Sequence, residues 1–187
     1  MDLGLAGRTA LLLGPEDDLA AACRRMFEAE GATVTTADGA DAGAIDVVVA
    51  RGVPRPASQV LGWSSADELL EAWEPVVATV DAYRSALPGM TARSFGRLVW
   101  VGTAASRSLD ADDDEVDAVV SLAVRAVHKV ISSEAGAANV TANAVVHGGD
   151  VTDDEVAAAV GFLCSDGAGY LTGVTITVDG GAGSAVY

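Results

Sequence analysis

Short apolar runs alternate with longer stretches of helical periodicity along the chain. TALLLG, residues 9–14, predicts a buried strand, and residues 17–30 carry apolar positions at helical spacing up to a stop at Gly31. IDVVVARG, residues 45–52, is an apolar run typical of a strand buried on both faces of a parallel sheet. Further strands are predicted in ATVTTAD (32–38), GRLVWVG (96–102), NVTANAVV (139–146) and GVTITVD (173–179).

Helical segments separate these strands. Residues 66–88 and 115–134 form the two longest, and a third follows at 153–165. The alternation of strand and helix predicts an α/β fold, with one three-layer, doubly wound domain over residues 1–187 and a parallel Rossmann-like sheet. Helix 115–134 is apolar nearly all round, so one side should face the sheet and the other a partner chain.

The acidic composition excludes several kinds of partner. The 187 residues include 11 basic and 27 acidic side chains, and the net charge of −16 repels nucleic acid and anionic membranes. No apolar run approaches the length of a membrane span, and the two cysteines lack the spacing of metal ligands. We therefore expect a cytoplasmic protein that binds no nucleic acid, no membrane and no metal.

The order of these segments is similar to that of a known family. The stretches LAGRTALLLG, GATVTTAD, LPGMTARSFGRLVWVGTAAS, NVTANAVVHGG and VGFLCSDGAGYLTGVTITVDGG follow one another along nearly the whole chain. In this order they resemble the short-chain dehydrogenase/reductase family, and the last stretch is the most specific. The resemblance implies a Rossmann-like fold and kinship with NAD(P)-dependent oxidoreductases.

The phosphate loop of that family, T-G-x-x-x-G-x-G, is mostly lost. Gly14 remains, aspartate and alanine replace the other two glycines, and Pro15 removes a backbone donor. Carboxylates in the loop would repel a diphosphate, so we expect that the chain binds no cofactor. If it does bind one, we expect NAD. Asp17 or Asp18 should cap the helix instead. Gly14 and Asp38, which ends the second predicted strand, are interpreted as vestiges of a cofactor site.

The catalytic positions implied by the resemblance also carry other residues. Val120 and Val124 replace the Tyr–Lys pair, Val80 replaces a relay asparagine, and Thr103 stands at the serine position. The usual third strand and the substrate-binding loop are absent. Strand 32–38 is therefore expected at the sheet edge, in the order 2-1-4-5-6-7 in the family's labels.

Polar side chains remain at the predicted carboxyl ends of the strands, where open parallel sheets bind ligands. Arg51, Thr103 and His147 are the candidates for catalysis, although together they form no recognised catalytic constellation. We expect Arg51 to pair with Asp17 or Asp18 and so to close the phosphate site from within the chain.

These losses favour a non-catalytic protein that acts as a structural or regulatory subunit. It would form a homo-oligomer, or a hetero-oligomer with an intact homologue, through helices 66–88 and 115–134, with His128 packed at an interface. Two alternatives stay open. One is a non-redox enzyme, such as a lyase, cyclase or isomerase, that uses the residual cleft. The other is an NAD-dependent oxidoreductase with atypical motifs.

Overall fold

A computed structural model describes residues 2–52, 66–103 and 115–183 of the chain. Strands and helices alternate within these ranges, joined in places by single 3-10 turns. The strands are β1 (Thr9–Leu13), β2 (Thr33–Thr35), β3 (Val47–Arg51), β4 (Gly96–Thr103), β5 (Val140–His147) and β6 (Thr175–Val178). The helices are α1 (Asp18–Ala29), α2 (Ala66–Arg93), α3 (Glu115–Ala135) and α4 (Asp153–Cys164).

The described strands form one parallel sheet of six strands in the order β2-β1-β3-β4-β5-β6. This confirms the predicted doubly wound α/β fold and the predicted position of β2 at an edge. Only short 3-10 turns, Ala37–Gly39 and Ala42–Ala44, separate β2 from β3. The chain leaves β1 toward β2 on one side and returns to β3 on the other, so the order reverses between β1 and β3.

Alternating side chains of the central strands pack against two different helix layers. One face of the sheet packs against α1 and α4, and the other against α2 and α3. The first core includes Val49, Val99, Val101 and Val145 with Cys23, Phe27, Val156 and Leu163. The second includes Val48, Ala50, Leu98, Trp100 and Ala144 with Tyr83, Met90, Val120 and Val124.

Two element ends differ from the sequence prediction. Strand β2 ends at Thr35 rather than at residue 38, where a 3-10 turn takes over. Helix α2 continues past residue 88 to Arg93, with Pro88 inside it. The extra turn is held because Met90 is fully buried and Arg93 donates hydrogen bonds to the Ile45 carbonyl at 2.6 Å and to Asp46 at 3.0 Å. These tertiary contacts outweigh the cost of proline in a helix.

Candidate functional site

The turn after β1 requires glycine at position 14. Gly14 has φ +127°, a backbone conformation that other residues rarely adopt. A Cβ there would lie 3.1 Å from Cβ of Arg51 and 3.2 Å from its carbonyl oxygen. The close approach of β1 and β3 at their carboxyl ends therefore depends on this glycine, which is the feature that the sequence retains from the phosphate loop.

Asp17 caps helix α1 and also binds a buried arginine. Its Oδ1 accepts a hydrogen bond from the Ala20 N–H at 2.9 Å and lies 2.8 Å from Nη1 of Arg51. The Arg51 side chain is only 8% exposed, and its Nη2 donates to the Pro15 carbonyl. The ion pair predicted between Arg51 and the acidic loop is thus confirmed, and Asp17 rather than Asp18 provides the carboxylate.

The balance of forces keeps Asp17 ionised. Burial acts to raise the pKa of Asp17, but the hydrogen bond from Ala20 and the Arg51 guanidinium together outweigh it and hold the pKa below its ordinary value. A helix N-terminus and a guanidinium are the two groups that most often bind phosphate oxygens in proteins. Here a side-chain carboxylate occupies both of them, so Asp17 stands in for an external anion.

The Arg51 guanidinium and the N–H groups at the start of α1 are suitable donors for the diphosphate of a dinucleotide. The cavity beside them is too small for a diphosphate in this conformation. The cavity beside Gly14, Pro15 and Arg51 measures about 10 Å³, which is room for about one water molecule. A diphosphate could contact Arg51 and the start of α1 only after Asp17 releases the guanidinium. The donor groups therefore match a diphosphate chemically, but a diphosphate has room there only when the Asp17–Arg51 ion pair is open.

The other two candidate residues lie on the same face of the sheet as Arg51. Residues 49, 99, 101 and 145 face α1 and α4, and by alternation Arg51, Thr103 and His147 project to that side from the ends of β3, β4 and β5. Thr103 and His147 are register partners, on strands that lie about 4.8 Å apart. Both are half-buried. The structure thus brings all three sequence candidates to one edge.

The positions of the Tyr–Lys pair carry no polar group and face the opposite side of the sheet. Val120 and Val124 are buried against Trp100, Ala50 and Ala144. They are therefore core residues of the α2–α3 side rather than part of the edge that holds Arg51.

Asp38 lies in the 3-10 turn after β2 rather than at the end of that strand. Its side chain is outside the described part of the structure, so its interpretation as a vestige stays a prediction.

Two polar pairs in the core were not predicted. The Tyr83 hydroxyl lies 2.9 Å from Nε2 of His128, and the Trp100 indole N–H donates to Oγ of Ser121 at 3.3 Å. The expectation that His128 packs at an interface is wrong, because it is 2% exposed within its own chain and reaches Tyr83 on the neighbouring helix. The one sign of the Tyr83–His128 contact in the sequence is that His128 is a polar residue on an otherwise apolar helix face.

Comparisons with known proteins point to reductases. Residues 146–183 match a family model described as "Enoyl-(Acyl carrier protein) reductase". The 3-oxoacyl-[acyl-carrier-protein] reductase FabG of Pseudomonas aeruginosa is 28% identical over 123 residues, which is 52% of this chain and 49% of the relative. The chain therefore spans about half the length of the curated relative that it matches.

Solved structures share the fold over nearly the whole chain. The L-sorbose reductase from Gluconobacter frateurii, solved with NADPH and L-sorbose, is 18% identical with a TM-score of 0.85, covering 97% of this chain and 98% of that one. YwfH, described as an NADPH dependent reductase involved in bacilysin biosynthesis, is also 18% identical, with a TM-score of 0.75 and coverage of 95% and 100%.

These findings correct two expectations. The predicted non-catalytic subunit and the predicted lack of a cofactor are both contradicted, because the matching relatives are named as reductases and two of them as NADPH-linked. The expectations relied on the missing motif residues and treated the Arg51 guanidinium only as the group that closes the phosphate site, not as a group that could bind phosphate. The order of the sequence segments, the sheet order and these matches agree in one respect: the chain is similar to the short-chain dehydrogenase/reductase family and shares its fold.

Proposed function

We propose that the protein is a nicotinamide-dependent oxidoreductase that interconverts a carbonyl group and an alcohol. One observation carries the proposal: Arg51, Thr103 and His147 converge on one face of the carboxyl edge, beside the N-terminus of α1. The strand order reverses between β1 and β3 at this edge, and such switch points are where open parallel sheets bind dinucleotides. The reductases among its relatives support the same reaction class.

The residues that would hold the cofactor are Arg51 and the backbone N–H groups at the start of α1, with Gly14 allowing close approach of the main chain. When bound, the nicotinamide supplies or accepts the hydride. Binding requires that the diphosphate replace the Asp17 carboxylate on Arg51. The chain therefore binds its cofactor in competition with its own side chain, and affinity should be modest.

An acyl thioester is the first substrate class to test. The FabG relative and the matching family model are both named for reduction of substrates on acyl carrier protein. A 3-oxoacyl thioester offers the carbonyl that this reaction needs, and acetoacetyl-coenzyme A is a soluble probe of the class.

The test is turnover of that probe with NADH and with NADPH. Loss of reduced nicotinamide should be matched by formation of the 3-hydroxyacyl thioester, detected by mass spectrometry. Arg51→Gln should lower the rate at sub-saturating cofactor, whereas Asp18→Asn, which removes an exposed charge from the first turn of α1 outside the ion pair, should have a smaller effect. Absence of product with both cofactors, for the wild type and for Asp17→Asn, would contradict the proposal.

We also propose that the α2–α3 surface associates with a second copy of the chain. A groove of about 770 Å³ runs between these helices and is mostly apolar, with Arg84 on one helix and Glu134 on the other. Nearby, Leu122 and Val130 of α3 are 42% and 56% exposed. In a two-fold arrangement the apolar groove of one copy would face the same groove of the other. A hetero-oligomer with a homologue is the alternative outcome of the same test.

We place the protein in the cytoplasm as part of this proposal. Cys23 and Cys164 are free and buried, and burial raises the pKa of Cys23 to about 11, so neither thiol is poised for redox chemistry. None of the helices in the described ranges is both long enough and apolar enough to cross a membrane.

A further inference from the structure

A buried polar contact joins the two helices that cover one face of the sheet. The Tyr83 hydroxyl of α2 lies 2.9 Å from Nε2 of His128 on α3, and the two residues are 1% and 2% exposed. Nδ1 of His128 is also buried, and it has no hydrogen-bond partner among the described residues. A neutral imidazole forms this contact through one ring nitrogen, so the contact holds α2 against α3 while the ring is uncharged.

A proton on His128 is incompatible with this arrangement. A protonated imidazole has two N–H donors, and the Tyr83 oxygen can accept from Nε2 only. A buried charge and an unpaired buried donor both cost free energy. Burial accordingly lowers the pKa of His128 to about 3, and the nearby main chain of Asn143 offsets only part of this effect. In mild acid the ring therefore takes up a proton only where it gains contact with water.

Neighbouring charges do not compensate a proton on the ring. Within two helical turns of the pair, the charged side chains are Asp81 and Arg84 on α2 and Arg125, Lys129 and Glu134 on α3. Asp81 and Arg84 pair with each other in solvent, Lys129 and Glu134 are exposed, and Arg125 is half-buried. Strand β5, which packs against α3, carries no charged side chain before His147 at its carboxyl end. Burial thus decides the protonation state of His128.

The part of α2 that carries Tyr83 is built to move separately from the rest of the fold. Pro75 and Pro88 lie inside α2 on either side of Tyr83, and each removes one backbone donor from the helix. Tyr83 also lines the groove of about 770 Å³ between α2 and α3, so a shift of the tyrosine admits water to His128. Beyond Pro88, the end of α2 stays bound to the residues just before β3 through Arg93.

We propose that the Tyr83–His128 contact is an acid-sensitive switch, in which uptake of a proton by His128 releases segment 76–87 of α2 from α3 while the sheet and the α1–α4 layer stay folded. The open state exposes His128, which then titrates near its ordinary value of 6.5. The unequal proton affinities of the two states raise the equilibrium constant for opening roughly 25-fold between pH 7 and pH 5. The groove belongs to the surface assigned above to a second copy, so release also weakens that association. Only this last consequence rests on the proposed function.

Hydrogen exchange followed by mass spectrometry tests the switch on the wild-type chain, with rates corrected for the slower chemical exchange at pH 5. At pH 7 the amides of 76–87 should exchange faster than those of β4 and β5, because the segment opens without global unfolding. At pH 5 their opening constant should be roughly 25-fold larger. Amides of 76–87 that exchange as slowly as those of β4 and β5 would overturn the inference, since acid would then act only through global unfolding. An opening constant that is equal at the two pH values would overturn it as well.

Two substitutions separate the contributions of the ring and the hydroxyl. His128→Gln should abolish the rise between pH 7 and pH 5, whereas His147→Gln, which removes the other of the two histidines, should keep it. Tyr83→Phe retains the aromatic ring without the hydroxyl, so segment 76–87 should open more at both pH values, with the same ratio between them. A full rise in His128→Gln, or unchanged opening in Tyr83→Phe, would overturn the switch.

Sedimentation at the same two pH values tests the consequence for association. The wild type should dissociate more readily at pH 5 than at pH 7, and His128→Gln should lose this difference. A chain that is already a monomer at pH 7 would contradict the proposed association alone, because hydrogen exchange tests the switch in either case.

Discussion

Arg51 links the stability of the chain to its proposed function. Its guanidinium binds Asp17, the cap of α1, and in the proposed function it binds the cofactor diphosphate in place of Asp17. Arg51→Ala should destabilise the fold by about 1–2 kcal/mol, a figure reduced because Asp17 is 41% exposed. Thermal unfolding measures this as a fall of roughly 2–4 °C per kcal/mol for a chain of this size. Arg25→Ala is the matched control, because Arg25 and Asp154 form a pair of the same 2.8 Å length that is exposed on both sides. Equal effects of the two substitutions would contradict the account.

The same ion pair predicts a pH dependence. The pKa of Asp17 is lowered in the folded chain from its ordinary value of 3.8, so the stabilisation is present above that value and lost as pH falls through the lowered one. A double-mutant cycle of Arg51→Ala with Asp17→Asn should give the same coupling energy at pH 5 and pH 7. A coupling energy that is much smaller at pH 5 than at pH 7 would refute the assignment of a lowered pKa to Asp17.

His128 should make the whole fold sensitive to mild acid. Burial lowers its pKa to about 3, whereas an unfolded histidine titrates near 6.5. The unfolded chain therefore binds the extra proton below pH 6.5, and between pH 7 and pH 5 stability should fall by roughly 2 kcal/mol from this residue alone. Denaturant unfolding of His128→Gln should lack this slope, while His147→Gln should retain it. A wild-type stability that is flat over this range would be the contrary result.

At the scale of the element, helix α4 begins with a capping box that its sequence encodes locally. The Thr152 hydroxyl accepts from the Glu155 N–H, and the Glu155 carboxylate accepts from the Thr152 N–H at 2.8 Å. Thr152→Ala should destabilise the protein by about 1 kcal/mol, and Thr152→Ser should restore most of the loss. Chemical denaturation of the wild type and the two variants measures the free energy of unfolding. Equal stability of the alanine and serine variants would argue against the cap.

Local patterns predicted the elements but not all of their ends. Apolar periodicity located α3 almost to the residue, since 115–134 was predicted and Glu115–Ala135 is observed. It missed the last turn of α2, because Arg93 is held there by carbonyl groups near β3 that are distant in sequence. The Arg51–Asp17 pair was predictable from opposite charges at adjoining ends. The register of Thr103 with His147 was not, because strand register depends on the whole sheet.

At the scale of the whole molecule, the proposed two-fold association makes a sharp prediction. Val130→Asp places a charge on an exposed apolar position of α3, and sedimentation should show a shift from dimer to monomer. Ala21→Asp adds the same charge to an exposed position of α1, on the opposite layer, and should leave the dimer intact. A wild-type chain that sediments as a monomer, or a Val130→Asp variant that stays dimeric, would contradict this interface.

The central claim is that a dinucleotide binds at the carboxyl edge by displacing Asp17 from Arg51, and calorimetric titration with NADH and NADPH tests it most directly. The wild type should bind one of them weakly. Asp17→Asn should bind it on the order of tenfold more tightly, because a like charge beside the diphosphate is removed, and Arg51→Gln should bind more weakly than the wild type. Absence of binding by all three proteins, or an affinity that neither substitution changes, would contradict the account.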